Sequence, residues 1–138
     1  MANTFGYGAM TNSINDIINS KAVLIIGSNP AENHPVGMQH ILRAKEHHGA
    51  KIIVVDPRYT KTAAKADYYV RVRPGTDIPF MYGMINLIIQ NGWDDKDFYL
   101  NRVYGMEKAI EESKKYTPEV VQDITGVPAA LLREVTEV

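Results

Sequence analysis

The sequence contains no cysteine. That excludes a disulfide framework, a thiolate-ligated metal or cluster and a cysteine nucleophile within these residues. It leaves the redox compartment open: the cytoplasm is slightly favoured, and a periplasmic parent is also compatible. An excess of one charge is missing too, with 15 Lys and Arg against 16 Asp and Glu and a net charge of −1. No broad basic field is offered to nucleic acid, which is not expected as a partner. The apolar runs fall far short of the roughly 20 residues a membrane-spanning helix requires, so no membrane contact is expected. The N-terminus has no basic region leading into an apolar stretch, and no secretory signal is expected in it. No internal repeat or low-complexity tract is apparent.

What is present is a pair of short apolar runs that stop abruptly. Ala22-Val23-Leu24-Ile25-Ile26 ends in Gly27-Ser28-Asn29-Pro30, and Lys51-Ile52-Ile53-Val54-Val55 ends in Asp56-Pro57-Arg58. Runs of this length and purity suit strands buried on both faces, as in a parallel sheet. In open sheets of that kind ligands sit outside the carboxyl ends of the strands. A small-residue loop after one strand and an acidic residue after the next therefore point to a nucleotide site. At 138 residues the chain is long enough to bury one core.

The pattern along the chain alternates strand and helix. Residues 1–20 read as an irregular lead-in and a short helix through Ile18, capped by Thr11 or Asn12. Residues 21–92 read as a Rossmann-like core, with strands at Ala22–Ile26, Ile52–Val55 and Tyr68–Val72. Helices are predicted over Pro35–His48, Lys61–Lys65 and Asp77–Gln90, with Pro35 suiting a first turn and Gly49 and Asn91-Gly92 suiting stops. Residues 93–138 read as a helical extension, Asp94–Asn101, Met106–Lys115, Pro118–Thr125 and Pro128–Val138, cut within its last helix. Short connections and right-handed crossovers predict an α/β fold, a three-layer parallel sheet in the order 3-2-1.

If the strands are parallel, the loops Gly27–Glu32, Asp56–Tyr59 and Arg73–Asp77 meet at one edge. Gly27 and Ser28 leave room for a phosphate to approach backbone N–H groups, and Asn29 can donate and accept. Asp56 stands where a carboxylate accepts from ribose hydroxyls in dinucleotide-binding folds. Arg58 offers a fork of donors to phosphate. Asp77 suits a base that presents paired N–H donors, as guanine does and adenine does not. Each residue also has a simpler reading: Gly27 as a strand end, Asp56-Pro57 as a turn, Arg58 as a solvated charge, Asp77 as a helix N-cap. Gly27-Ser28-Asn29-Pro30 is not the Gly-x-Gly-x-x-Gly fingerprint, which disfavours an ordinary NAD site. Of the histidines, His40, His47 and His48 read as solvated helix residues rather than metal ligands, whereas His34 follows the first loop and is placed to face a ligand. Trp93 reads as a packing anchor.

Three stretches together resemble the molybdopterin oxidoreductases: Ile25-Ile26-Gly27-Ser28-Asn29-Pro30-Ala31-Glu32-Asn33-His34-Pro35, Val55-Asp56-Pro57-Arg58 and Arg73-Pro74-Gly75-Thr76-Asp77. Within that family the chain is most similar to the large catalytic subunit of formate dehydrogenase. Gly6-Tyr7-Gly8-Ala9-Met10-Thr11-Asn12-Ser13-Ile14-Asn15-Asp16 and the stretch from Tyr116-Thr117-Pro118 to Ile124-Thr125-Gly126-Val127 resemble it too. The resemblance implies a Rossmann-like domain that holds the guanosine and diphosphate end of one of two pterin guanine dinucleotides on molybdenum or tungsten. It implies that Gly27, Ser28 and Asn29 approach the diphosphate and nucleoside, with Glu32 and His34 in the same loop. Asp56 would take the ribose, Arg58 a phosphate or guanine face, and Asp77 the guanine edge, with Gly75 and Thr76 shaping the loop.

The resemblance also implies what these residues omit. The family's metal-binding cysteine or selenocysteine followed by histidine would lie upstream of Gly6. The iron–sulfur domain, the arginine near formate and the C-terminal half are not in the sequence. The expectation is a cofactor-binding fragment, inactive alone, whose parent oxidises formate to carbon dioxide alongside its remaining domains and electron-transfer subunits. Rival readings are a non-catalytic scaffold subunit of the same fold, the middle domain of a thiamine-dependent enzyme, and a free-standing nucleotide-binding module. Against the scaffold stands the retention of Asn29, Asp56, Arg58 and Asp77 together.

Overall fold

A computed structural model describes residues 12–138. The glycine-rich stretch Gly6–Met10 and Thr11 lie outside them. A 3-10 helix at Ile14–Asn19 opens the described chain, and its cap is Ser13, which accepts from the Asn15 amide, rather than Asn12. The remaining elements are β1 (Ala22–Ile26), α1 (Pro30–Asn33), α2 (Pro35–His48), β2 (Lys51–Val55), a 3-10 turn (Ala63–Lys65), β3 (Tyr68–Val70) and α3 (Asp77–Asn91). Four short helices follow: α4 (Lys96–Arg102), α5 (Met106–Ser113), α6 (Pro118–Thr125) and α7 (Ala129–Glu137).

The three strands form one sheet in the order β1-β2-β3, the predicted 3-2-1 counted from the other edge. Both pairings are parallel, with Ile25 opposite Val54 and Val54 opposite Tyr69. β2 is central, and its side chains alternate between two cores. Ile52 and Val54 pack with Ile25, Met38, Ile41 and Ala63 on the face covered by α2. Ile53 and Val55 pack on the other face with Val70, Phe80, Met84 and Leu87, joined by Val121, Val127, Leu132 and Val135. The period-two alternation of a strand thus seeds both halves of a three-layer α/β core. Of the helices after Gly92, α6 and α7 complete the second core through Val121, Leu132 and Val135, with Val127 between them, whereas α4 buries no residue.

Several boundaries differ from the sequence reading, each for a physical reason. β1 is not buried on both faces: it lies at the sheet edge, and Leu24 is 39% exposed. β3 stops at Val70, because the neighbouring strand turns away after Asp56: the Arg58 amide, the next in phase to face β3, donates to Asp56 Oδ1 instead. Pro30–Asn33 forms a single helical turn where a loop was expected, started by proline at its first position. The 61–65 helix shrinks to the turn Ala63–Lys65. Asp95 caps α4 by accepting from the Phe98 amide, which sets that start two residues later than expected. Trp93 is 50% exposed rather than a packing anchor. Among the described residues no helix is long and apolar enough to cross a membrane.

Candidate functional site

The parallel register brings the three strand ends to one edge, and the backbone joins them there. The Gly27 amide donates to Val55 O at 2.9 Å, and the Asp56 amide to Val70 O at 3.1 Å. Each loop therefore leaves the sheet one residue beyond its strand, already bonded to the next. Gly27 turns with φ +58°, and open space surrounds the place a Cβ would occupy. Gly75 in the third loop has φ +79° and is equally open. Both glycines permit a left-handed turn and leave backbone accessible to a ligand. Ser28 beside Gly27 is exposed.

The first and second loops are tied by a side-chain network. Asn29 is only 8% exposed, and its Oδ1 accepts from Thr62 Oγ1 at 2.7 Å. Thr62 Oγ1 in turn accepts from the Ala31 amide at 3.0 Å. The Asn29 Nδ2 amide donates to Glu32 Oε2, and Glu32 Oε1 pairs with Lys61 Nζ at 3.1 Å. Lys61 above all, then Asn29, holds the Glu32 carboxyl below its ordinary range, with a smaller contribution from Arg58. Both ends of the Asn29 amide are thus engaged inside the protein. The side chain braces the loop, beside exposed Gly27 and Ser28.

In the second loop, Asp56 is 9% exposed and its Oδ1 accepts from the Arg58 amide at 2.8 Å, an Asx turn that aims the Arg58 side chain outward. The second carboxylate oxygen is not used by that turn. Pro57 of this loop and Arg71, Val72, Arg73 and Pro74 of the next line one groove of about 430 Å³, closed by Thr125 and Gly126. In the third loop, Thr76 is the N-cap of α3 by position, and its hydroxyl donates to Arg73 O at 2.7 Å. Asp77 is the first helical residue, not the cap, and it is exposed.

Nine of the ten anticipated residues thus lie on the loops at this edge or in the network that braces them: Gly27, Ser28, Asn29, Glu32, Asp56, Arg58, Gly75, Thr76 and Asp77. His34 does not join them in any contact. It is exposed and lines a groove of about 840 Å³ between the first 3-10 helix and α2, with Ile14, Ile17, Val36 and His40. Sequence reasoning missed Thr62, a fully buried threonine that joins two loops. No local signal marks it, because Thr62 falls inside the stretch Lys61–Lys65 read as a helix, where nothing points to a partner in another loop. That reading placed Arg73 at the start of the third loop and gave it no role of its own.

A parallel α/β sheet whose carboxyl edge carries an open glycine loop, a nearly buried aspartate and an exposed acid at a helix start has the layout in which open α/β sheets place their ligands. The family model described as Molybdopterin oxidoreductase matches residues 2–132, and the chain belongs to that family. It is 50% identical over 134 residues to the F420-dependent formate dehydrogenase subunit alpha of Methanocaldococcus jannaschii, covering 97% of this chain and 20% of that protein. It is 43% identical over 129 residues to formate dehydrogenase H of Escherichia coli, covering 94% of this chain and 18% of that protein. A solved structure, acetylene hydratase from Pelobacter acetylenicus, superposes with a TM-score of 0.76 at 33% identity, covering 89% of this chain and 18% of the other. The chain spans about a fifth of the length of the curated relatives it matches.

Proposed function

We propose that this chain is the part of a formate dehydrogenase alpha subunit that holds the nucleotide end of a molybdopterin guanine dinucleotide. Family membership implies a molybdopterin cofactor. The guanine form, and molybdenum or tungsten at the far end, are the finer reading. The observation that carries it is the convergence of Gly27, Asp56, Arg58 and Asp77 at one edge of a parallel sheet. The residues fit such a group. Open space at Gly27 and Gly75 admits a diphosphate close to the backbone beside exposed Ser28, the Gly27 amide itself being given to Val55 O; Asp56 keeps one oxygen for a ribose hydroxyl, and exposed Arg58 can neutralise phosphate.

When bound in the parent, the cofactor's metal supplies the two-electron chemistry, with an iron–sulfur cluster and partner subunits carrying the electrons away. This chain's residues bind and orient the nucleotide. Asp77 selects the base: an exposed carboxylate accepts two hydrogen bonds from guanine N1–H and N2–H, and adenine has no such pair. A hydrogen bond to a charged group is worth about 1.5–3 kcal/mol, a discrimination of about tenfold or more. The activity is not read from the fold, because one architecture hosts many reactions.

Two experiments test the reading. Calorimetric titration of the chain with GDP and ADP is expected to favour GDP, and Asp77→Ala to erase the difference. Acid hydrolysis of cofactor released from the longer parent polypeptide is expected to yield GMP. A parent cofactor without a guanine nucleotide would sink the proposal.

A further inference from the structure

We infer that Arg73 is the positioning residue of the base-reading loop, and that through it α6 becomes part of the nucleotide site without touching the nucleotide. The inference rests on the function proposed above. The last four carbonyls of an α-helix have no partner within the helix. In α6 all four are accounted for. The Gly126 amide takes Gln122 O at 2.8 Å, and the Arg73 amide takes Thr125 O at 3.0 Å. The Arg73 guanidinium donates from one nitrogen, Nη1, to Asp123 O at 2.6 Å and Ile124 O at 3.1 Å. A cation also suits the negative end of the helix dipole.

The other side of Arg73 holds the loop. Its carbonyl accepts from the Thr76 hydroxyl at 2.7 Å and from the Thr76 amide at 3.2 Å. Asp77 follows directly, as the first residue of α3. The short loop from Arg73 to Thr76 is therefore fastened at one residue to a helix fifty positions away. That helix is anchored in turn, since Val121 and the Val127 that follows it lie in the core shared with β2 and β3. Gly126 lies against the same guanidinium, a Cβ there standing 3.4 Å from Arg73 Nε in ordinary contact, and its φ of +78° is what favours glycine. Without the guanidinium only the backbone ties remain, from the Arg73 amide to Thr125 O and from Thr76 to Arg73 O, and Asp77 is held less firmly where a carboxylate can meet both guanine donors at once.

The test is a graded series at this position in the full chain: Arg73→Lys, which keeps the charge but offers one ammonium to two carbonyls, and Arg73→Met, which keeps the stem and no donor. Ile41→Val, which removes a methyl group from the separate core under α2 on the other face of the sheet, is the control for a loss of stability without a change in the loop. Two readouts are taken below the melting midpoint: the GDP-to-ADP affinity ratio, and hydrogen exchange at the amides of 75–78. The expected result is exchange faster by about tenfold or more in Arg73→Met and intermediate in Arg73→Lys. The affinity ratio should fall toward one in the same order, with Ile41→Val unchanged in both. Arg73→Met matching the unmodified chain in exchange, or Ile41→Val losing the preference equally, would overturn the inference. Should Arg73→Met not fold, Arg73→Lys indistinguishable from the unmodified chain overturns it. Equal binding of GDP and ADP by the unmodified chain would count against the guanine reading and not against Arg73, because the exchange rates need no nucleotide.

Discussion

Thr62 and Asn29, 33 residues apart, share a buried hydrogen bond of 2.7 Å from Thr62 Oγ1 to Asn29 Oδ1. The same Thr62 oxygen accepts from the Ala31 amide. One hydroxyl thus serves both its donor and its acceptor capacity between the loop after β1 and the loop after β2. This bond makes the first two loops a single surface.

Thr62→Val keeps the shape and removes both bonds, leaving Asn29 Oδ1 and the Ala31 amide without their partner. The expected loss is about 1–3 kcal/mol of stability, read from urea unfolding. Thr62→Ser, which keeps the hydroxyl, should retain most of it. Equal losses in both variants would assign the effect to the methyl group's packing.

Two helical glycines should respond to alanine with opposite signs. A Cβ at Gly83 in α3 would lie 2.6 Å from Val121 Cγ2 and 3.1 Å from Leu132 Cδ2, both on fully buried side chains. Overpacking of this kind costs roughly 1–3 kcal/mol and outweighs the gain in helix propensity. At Gly37 in α2 the nearest atom would be 3.8 Å away. Gly37→Ala should therefore stabilise by about 0.4–1 kcal/mol. Thermal unfolding midpoints moving in opposite directions would check the pair.

Asp67 links the strand layer to α2. Its Oδ2 accepts from the Ile52 amide and its Oδ1 pairs with Lys45 Nζ, each at 2.9 Å. Burial pushes the carboxyl up, but the Ile52 amide and Lys45 together outweigh it and hold it below its ordinary range. A folded pKa below the unfolded one contributes stability that is complete above the unfolded value, about 3.9. It is lost as pH falls through the lower folded value. Urea midpoints at pH 7, 5, 4 and 3 should therefore fall at the acid end, and fall less steeply in Asp67→Asn. Parallel profiles would remove Asp67 from the account.

Asp56→Asn separates a turn residue from a ligand. Asparagine keeps an oxygen for the Arg58 amide, so the Asx turn and the stability should survive. If the carboxylate accepts from ribose, nucleotide affinity should fall by about tenfold, since a charged acceptor is replaced by a neutral one. Unchanged GDP binding with unchanged stability would leave Asp56 as a turn residue only.

The sequence by itself determined the class of fold and the edge on which to look. Ile52–Val55 is apolar on both faces because it is the central strand, and Pro35, Gly49 and Gly92 mark helix limits through backbone geometry that needs no partner. The glycine loop, Asp56 and Asp77 were visible for the same reason: their chemistry is local and their order along the chain follows the strands. Tertiary structure decided the rest. Leu24 reads as buried and is partly exposed, because it shares the face of Ile53 and the helices packed on that face gather over β2 and β3, where Val70 is fully buried. Asn29 reads as a ligand and is also a brace, because Thr62 arrives from another loop. His34 follows the glycine loop in sequence but faces the groove beside α2, because the Pro30–Asn33 turn redirects the chain. Arg73 reads as the first residue of the third loop, and its partners are carbonyls at the end of a helix that only packing brings near. Periodicity and turn chemistry are properties of neighbouring residues and are written in sequence. Long-range hydrogen bonds depend on which surfaces the core brings together, and no local pattern encodes that.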